Sequence, residues 1–315
     1  MKYQSIAGTG LEVSKLSFSM WSMLMQPTWR IQDDMALMKT IQAAYEAGIN
    51  CLETAPIYGF GHGESLLGSA ISHLPRNDLI LCTRFGLRWD ASNQLQVALS
   101  PEHIRQDLEY SLIRLETDYI DIYQPYFIPE TEPIEEIWGT LAQLQREGKI
   151  RYVSAANLDL PQIRQCEEIM PLHFAQLPYS LAFREIQEEL LPYCAENGIG
   201  IFAYSPMHLS QLLKKLAINR ASTRNSLIRA MFTRDSDTAS SVDLNFSIAP
   251  IAQNRNISPA QLAIAWILHF EGIASVSITA KTVEQIERIQ DAADNTLHHE
   301  DLIAIGEHIA ETIGI

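Results

Sequence analysis

Eight short apolar, β-prone runs recur along the 315-residue chain, near residues 15–20, 50–54, 79–83, 119–125, 150–155, 173–178, 199–204 and 273–278, with helical patterns between them. No composition break or linker interrupts this alternation, so it implies parallel strands joined by helical crossovers. The clearest helix lies over residues 100–115, where Ser100 is placed to cap, Pro101 takes the first helical position, and Ile104, Leu108, Leu112 and Leu115 form one apolar stripe. Ser258 and Pro259 open a later helix in the same way. Gly48, Gly148, Gly198 and Gly272 each stand just before a strand, the pattern of a helix stopped by a left-handed residue.

The expected fold is therefore α/β, a (β/α)8 barrel in a single domain over residues 1–315. A doubly wound sheet is the structural alternative. It is weakened because Asn50–Gly68, NCLETAPIYGFGHGESLLG, places Glu64 where the third glycine of a G-x-G-x-x-G fingerprint belongs. Ahead of the first strand, Lys2–Ser14 reads as a β-hairpin turning at Gly8, Thr9 and Gly10. One long irregular insertion, residues 206–245, follows strand seven on the face where a barrel keeps its active site.

Composition narrows the partners. A net charge of -15 argues against nucleic acid or an anionic membrane, both of which would repel the chain. The N-terminal MKYQSIAG has no apolar signal core, and the best apolar run, Leu262–Phe270, is too short to span a bilayer, so a cytoplasmic location is expected. Cys51, Cys82, Cys166 and Cys194 lack metal or redox spacing and suit buried thiols. The nine histidines show no ligand spacing, so no metal is expected.

A barrel delivers the side chains at its strand ends to one mouth. Here these are Met20 and Trp21, Glu53 and Tyr58, Arg84, Gln124 and Tyr126, Asn157, Gln176, Tyr204 and Ser205, and Lys281. Each alone has an ordinary structural explanation, but their occurrence on successive strands points to a site. A phenol serves as a general acid only if its pKa falls from about 10. Arg84 is a permanent cation able to lower it, and Glu53 can hold Arg84 through a two-pronged pair. Asn157 and Gln176 offer amide groups suited to an amide-bearing ligand, and Tyr204 offers a flat face for stacking or ordinary core packing.

With these residues in view, the sequence resembles the aldo-keto reductases over nearly its whole length. The matching stretches are GTGLEVSKL, ETAPIYGFGHGESLLG, SLIRLETDYIDIYQ, PIEEIWGTLAQLQREGKIRYVSAAN, LPYCAENGIGIFAYSP and AKTVEQIE, in family order and spacing. The resemblance implies a barrel that binds NADPH without a glycine fingerprint and reduces a small-molecule carbonyl, aldehyde or ketone. It also implies that Tyr58 donates the proton. Glu53 stands where the family has aspartate, Arg84 where it has lysine, and Tyr126 where it has histidine. Asn157, Gln176 and Tyr204 match positions that hold and stack the nicotinamide, next to Ser205. Ala156 replaces the serine usual beside the asparagine, and MHLSQLLKK replaces a glycine-rich phosphate loop. Lys281 keeps the basic position expected at a 2'-phosphate, Gln285 is in register, and Arg288 with Ile289 replaces a Glu-Asn pair near the adenine.

Two functions follow from this pattern. In one, the chain is an NADPH-dependent carbonyl reductase whose charged pair has been exchanged with its signs preserved. In the other, it is a catalytically degenerate barrel that binds a ligand or a partner protein.

Overall fold

The computed structural model describes residues 1–21, 31–91, 94–181, 183–204 and 244–313. Its centre is a closed barrel of eight strands: β3 (Leu16–Ser19), β4 (Cys51–Glu53), β5 (Ile80–Phe85), β8 (Ile120–Pro125), β9 (Ile150–Ala156), β10 (Phe174–Pro178), β11 (Gly200–Tyr204) and β12 (Ile273–Ile278). Every neighbouring pair in the ring is parallel, and β12 closes it onto β3. These are the eight runs expected from sequence, so the doubly wound alternative is excluded. No helix among the described residues is long and apolar enough to cross a membrane.

The crossover helices begin and end on local signals. Ser100 accepts a hydrogen bond from the His103 N–H at the head of helix Pro101–Leu115, and Ser258 and Gln261 form a reciprocal cap on helix Pro259–Leu268. Asp159 and Gln162 do the same for helix Leu160–Ile169. At the other ends, Gly48, Gly148 and Gly198 have φ of +87°, +75° and +70°. The residues after them, Ile49, Lys149 and Ile199, donate back to Ala44, Leu144 and Cys194 at 3.0, 3.1 and 2.9 Å.

An antiparallel hairpin, β1 (Tyr3–Ile6) with β2 (Leu11–Ser14), precedes the barrel as expected. Its Ile6, Leu11 and Val13 pack inside a cluster with Cys51, Ile80, Cys82, Ile122, Phe174 and Phe202. The hairpin thus plugs the amino-terminal end of the barrel with apolar side chains. A second hairpin, β6 (Leu87–Trp89) with β7 (Leu95–Val97), stands in the loop after β5 and was not legible in the sequence. Of the insertion at 206–245, only the start of helix Leu244–Asn254 falls within the described residues.

Candidate active site

Five strands send one buried polar side chain each to the same level: Glu53 from β4, Arg84 from β5, Gln124 from β8, Gln176 from β10 and Ser277 from β12. Arg84 donates to Glu53 Oε1 from Nε at 3.3 Å and from Nη2 at 2.8 Å. Glu53 Oε2 accepts from Gln176 Nε2 at 2.7 Å and from the Ser277 hydroxyl at 3.3 Å. Gln176 Oε1 in turn accepts from Arg84 Nη2 at 2.6 Å and from Gln124 Nε2. A buried ion pair is tolerated only where its remaining hydrogen-bonding capacity is met. Here the four lone-pair sites of the carboxylate are filled, and burial, which is the largest influence and would lower the Arg84 pKa, is outweighed by the Glu53 charge and hydrogen bond together with the neighbouring Tyr58 and Tyr126 phenols, so Arg84 stays charged.

Tyr58 lies in the turn after β4. That turn is closed by hydrogen bonds from Tyr58 N to Ala55 O at 3.0 Å and from Gly61 N to Pro56 O at 2.7 Å. Gly63 N then donates to Tyr58 O at 2.9 Å, and a Cβ on Gly63 would sit 2.9 Å from that same oxygen, so only glycine allows the helix to start this close. The following Glu64, fully buried, pairs with Arg114 at 2.6 Å and accepts from the Thr83 hydroxyl at 2.7 Å. In the sequence Glu64 counts only against a glycine fingerprint. An acid inside the apolar run GESLLG was the signal that it needed a buried partner.

The Tyr58 ring is 1% exposed and meets Trp21 edge-on at 5.9 Å. Burial pushes its pKa above the ordinary phenol value and the Glu53 charge adds to this, while Arg84 and the Ser19 hydroxyl pull it down. The balance is upward, opposite in sign to the sequence expectation. Desolvating a phenolate costs more than a guanidinium already paired with a carboxylate can return. Tyr126, also buried, accepts at its hydroxyl from the Ile57 N–H at 3.2 Å and lays its ring beside Arg84, 5.6 Å from the guanidinium carbon. It thereby braces the Tyr58 turn, and its own O–H hydrogen remains able to donate.

The amide and stacking residues gather beside this cluster. Asn157, at φ +56°, donates from Nδ2 to Tyr126 O at 2.8 Å and accepts at Oδ1 from the Tyr204 O–H at 2.6 Å. Its backbone N–H donates to Gln176 O at 3.0 Å. Tyr204 is part-buried at the end of β11 with its hydroxyl fixed by Asn157. Gln176 differs from the sequence expectation, because its amide is bonded at both ends to the charged cluster. Gln285 accepts the Lys281 backbone N–H at 2.7 Å, ahead of helix Val283–Ile289, and the side chains of Lys281 and Arg288 are exposed. Trp89 packs on Phe60 at 5.5 Å. Ser205 lies outside the described residues.

A family model, the aldo/keto reductase family, matches residues 18–310. The chain belongs to the aldo-keto reductases. It is 32% identical over 318 residues to the protein named aldo-keto reductase YhdN from Bacillus subtilis (strain 168), covering 99% of this chain and 95% of that protein. It is 31% identical to the NADH-specific methylglyoxal reductase of Escherichia coli (strain K12), covering 98% of both. Among solved structures it is similar to a glycerol dehydrogenase from Gluconobacter oxydans, with a TM-score of 0.82, 26% identity and coverage of 100% of this chain and 97% of that one. This aldo-keto reductase is thus an oxidoreductase-family barrel, and its carboxyl-terminal mouth carries the Glu53–Arg84 pair, Tyr58 and Tyr126.

Proposed function

We propose that this aldo-keto reductase uses NADPH to reduce aldehydes or ketones, with Tyr58 as the proton donor. The observation that supports it most is the buried Glu53–Arg84 pair, whose charges act on the Tyr58 phenol, with the arginine and the Ser19 hydroxyl favouring its ionised form. Such an arrangement leaves the phenol protonated and poised beside donors that can receive its conjugate base.

The donor set fits a nicotinamide dinucleotide. Beyond its two bonds Asn157 keeps one amide hydrogen and one lone pair, Tyr204 keeps a part-exposed ring, and Lys281 is an exposed cation. When bound, the nicotinamide supplies a hydride to the carbonyl carbon. Tyr58 then gives its proton to the carbonyl oxygen, and the phenolate left behind is held by Arg84 and Ser19. The free O–H of Tyr126 orients the same carbonyl oxygen. NADPH is preferred over NADH because the exposed Lys281 ammonium would be available to a 2'-phosphate for a charge-assisted contact. The relative from Escherichia coli is named for NADH, so the choice between the two cofactors is a property of each chain.

The burial of Tyr58 and Tyr126 is the observation that favours the second reading, a barrel that binds a ligand without turning it over. Steady-state assays of NADPH and NADH oxidation over a panel of aldehydes and ketones decide between them. Turnover that disappears in Tyr58→Phe supports the reductase. NADPH binding with no turnover on any member of the panel overturns it.

A further inference from the structure

The two glutamines at the barrel mouth define a function for each that the sequence does not give. Gln176 Oε1 accepts from Arg84 Nη2 and Gln124 Nε2, and its Nε2 donates to Glu53 Oε2. The orientation is fixed by chemistry. Turning the Gln176 amide over would set its N–H2 against the guanidinium, two donors face to face, and its oxygen against the Glu53 carboxylate, two acceptors face to face. Gln124 is fixed by the same logic, because reversing it would set two amide oxygens together. All four side chains are at least nine-tenths buried, with exposures of 2% for Gln124, 3% for Gln176, 4% for Glu53 and 7% for Arg84, so water offers no substitute partner.

Both lone pairs of the Gln176 oxygen are therefore spent inside the protein. An incoming carboxamide would find one N–H of Gln176 and no acceptor. Asn157, by contrast, keeps both a hydrogen and a lone pair.

Resting on the reductase reading, we propose that Gln124 and Gln176 are positioning residues that clamp the Glu53–Arg84 pair beside Tyr58, and that Gln176 is spent in this clamp rather than on the nicotinamide amide. Gln124 acts at one remove. It touches Gln176, which touches both charges, so its influence reaches Tyr58 through Arg84.

The test pairs a binding measurement with kinetics on Gln124→Leu, Gln176→Leu and Asn157→Ala, with folding checked by far-ultraviolet circular dichroism. NADPH affinity is read by quenching of tryptophan fluorescence, and kcat and KM with an aromatic aldehyde. Gln124→Leu is expected to lower kcat about tenfold with KM and the NADPH Kd within about threefold, a split that a general loosening of the site would not give. The same change made in an Arg84→Lys background is expected to lower kcat less than about twofold, because the group it positions has already lost its fork. Gln176→Leu leaves the NADPH Kd within about threefold, whereas Asn157→Ala raises it about tenfold or more. If Gln176→Leu does not fold, Gln124→Leu and its double variant carry the test.

A tenfold loss of NADPH affinity in Gln176→Leu, or a Gln124→Leu enzyme with wild-type kcat, overturns the clamp while wild type still binds and reduces. A wild type that binds NADPH but reduces nothing overturns the reductase reading alone, and the binding comparison still decides the clamp. A wild type that binds no NADPH overturns both.

Discussion

Arg84→Lys keeps the charge and removes the fork, which makes it the most informative single change at this site. Arg84 makes two hydrogen bonds to Glu53 and one to Gln176, all buried. A lysine ammonium is a point charge on a different stem and keeps one of these at best. Hydrogen bonds to charged groups contribute about 1.5–3 kcal/mol each. Outright loss of one partner of a buried pair costs about 3–5 kcal/mol, which sets the upper limit because the charge is retained. Glu53 also keeps Gln176 and Ser277, so the two lost bonds count at the lower end of that range and the net destabilisation is about 3 kcal/mol. Urea unfolding followed by tryptophan fluorescence should show this as a lower midpoint at unchanged slope. On activity, a displaced guanidinium charge should cost about 10- to 100-fold in kcat, equivalent to about 1.4–2.8 kcal/mol of barrier. A variant within about 0.5 kcal/mol of wild type in stability, with wild-type kcat, would refute the argument that the fork is what holds the site.

The triple change Glu53→Asp, Arg84→Lys and Tyr126→His should recover more activity than the single changes predict, with a coupling of about 0.5–3 kcal/mol, because the three side chains share one network; strictly additive kcat values would count against co-adaptation. Tyr58→Phe should lower kcat by about 10²- to 10⁴-fold with little change in NADPH affinity, and more than a tenth of wild-type turnover remaining would show that another group is the acid. Lys281→Ala should narrow the preference for NADPH over NADH, read as the ratio of the two Kd values, and an unaltered ratio would remove Lys281 from the 2'-phosphate. Burial raises the pKa of Tyr58, Tyr123, Tyr126 and Tyr204 above that of the unfolded chain. The stability this represents is fully present below the unfolded value of about 10 and is lost as pH rises beyond it, because the unfolded chain releases these protons first. The urea midpoint should therefore fall as pH rises from about 10 to 11, and the fall should be smaller in Tyr126→Phe; a midpoint flat across that range would contradict the burial argument.

The sequence by itself determined the barrel and the inventory of its mouth. The eight runs, the caps at Ser100 and Ser258 and the stops at Gly48, Gly148 and Gly198 are all local signals, and each stands where the periodicity put it. They were legible because backbone dihedrals and hydrophobic period are set within a few residues. Glu53, Tyr58, Arg84 and Tyr126 were legible as candidates because a closed barrel brings strand ends together whatever its side chains are.

Tertiary structure alone decided who bonds to whom. Gln176 reads as a ligand amide in sequence, yet the stagger of β4, β5, β8 and β10 sets it between Glu53, Arg84 and Gln124, where it is consumed. The sign of the Tyr58 shift depends on total burial against a cation whose charge Glu53 already offsets, and neither quantity can be read from the residues in a row. The hairpin that plugs the far end of the barrel, the Glu64–Arg114 pair that anchors the Tyr58 turn and the β6–β7 hairpin were likewise settled by contacts between distant segments. Desolvation and hydrogen-bond partnership are properties of an enclosed space, and that space exists only once the strands have closed around it.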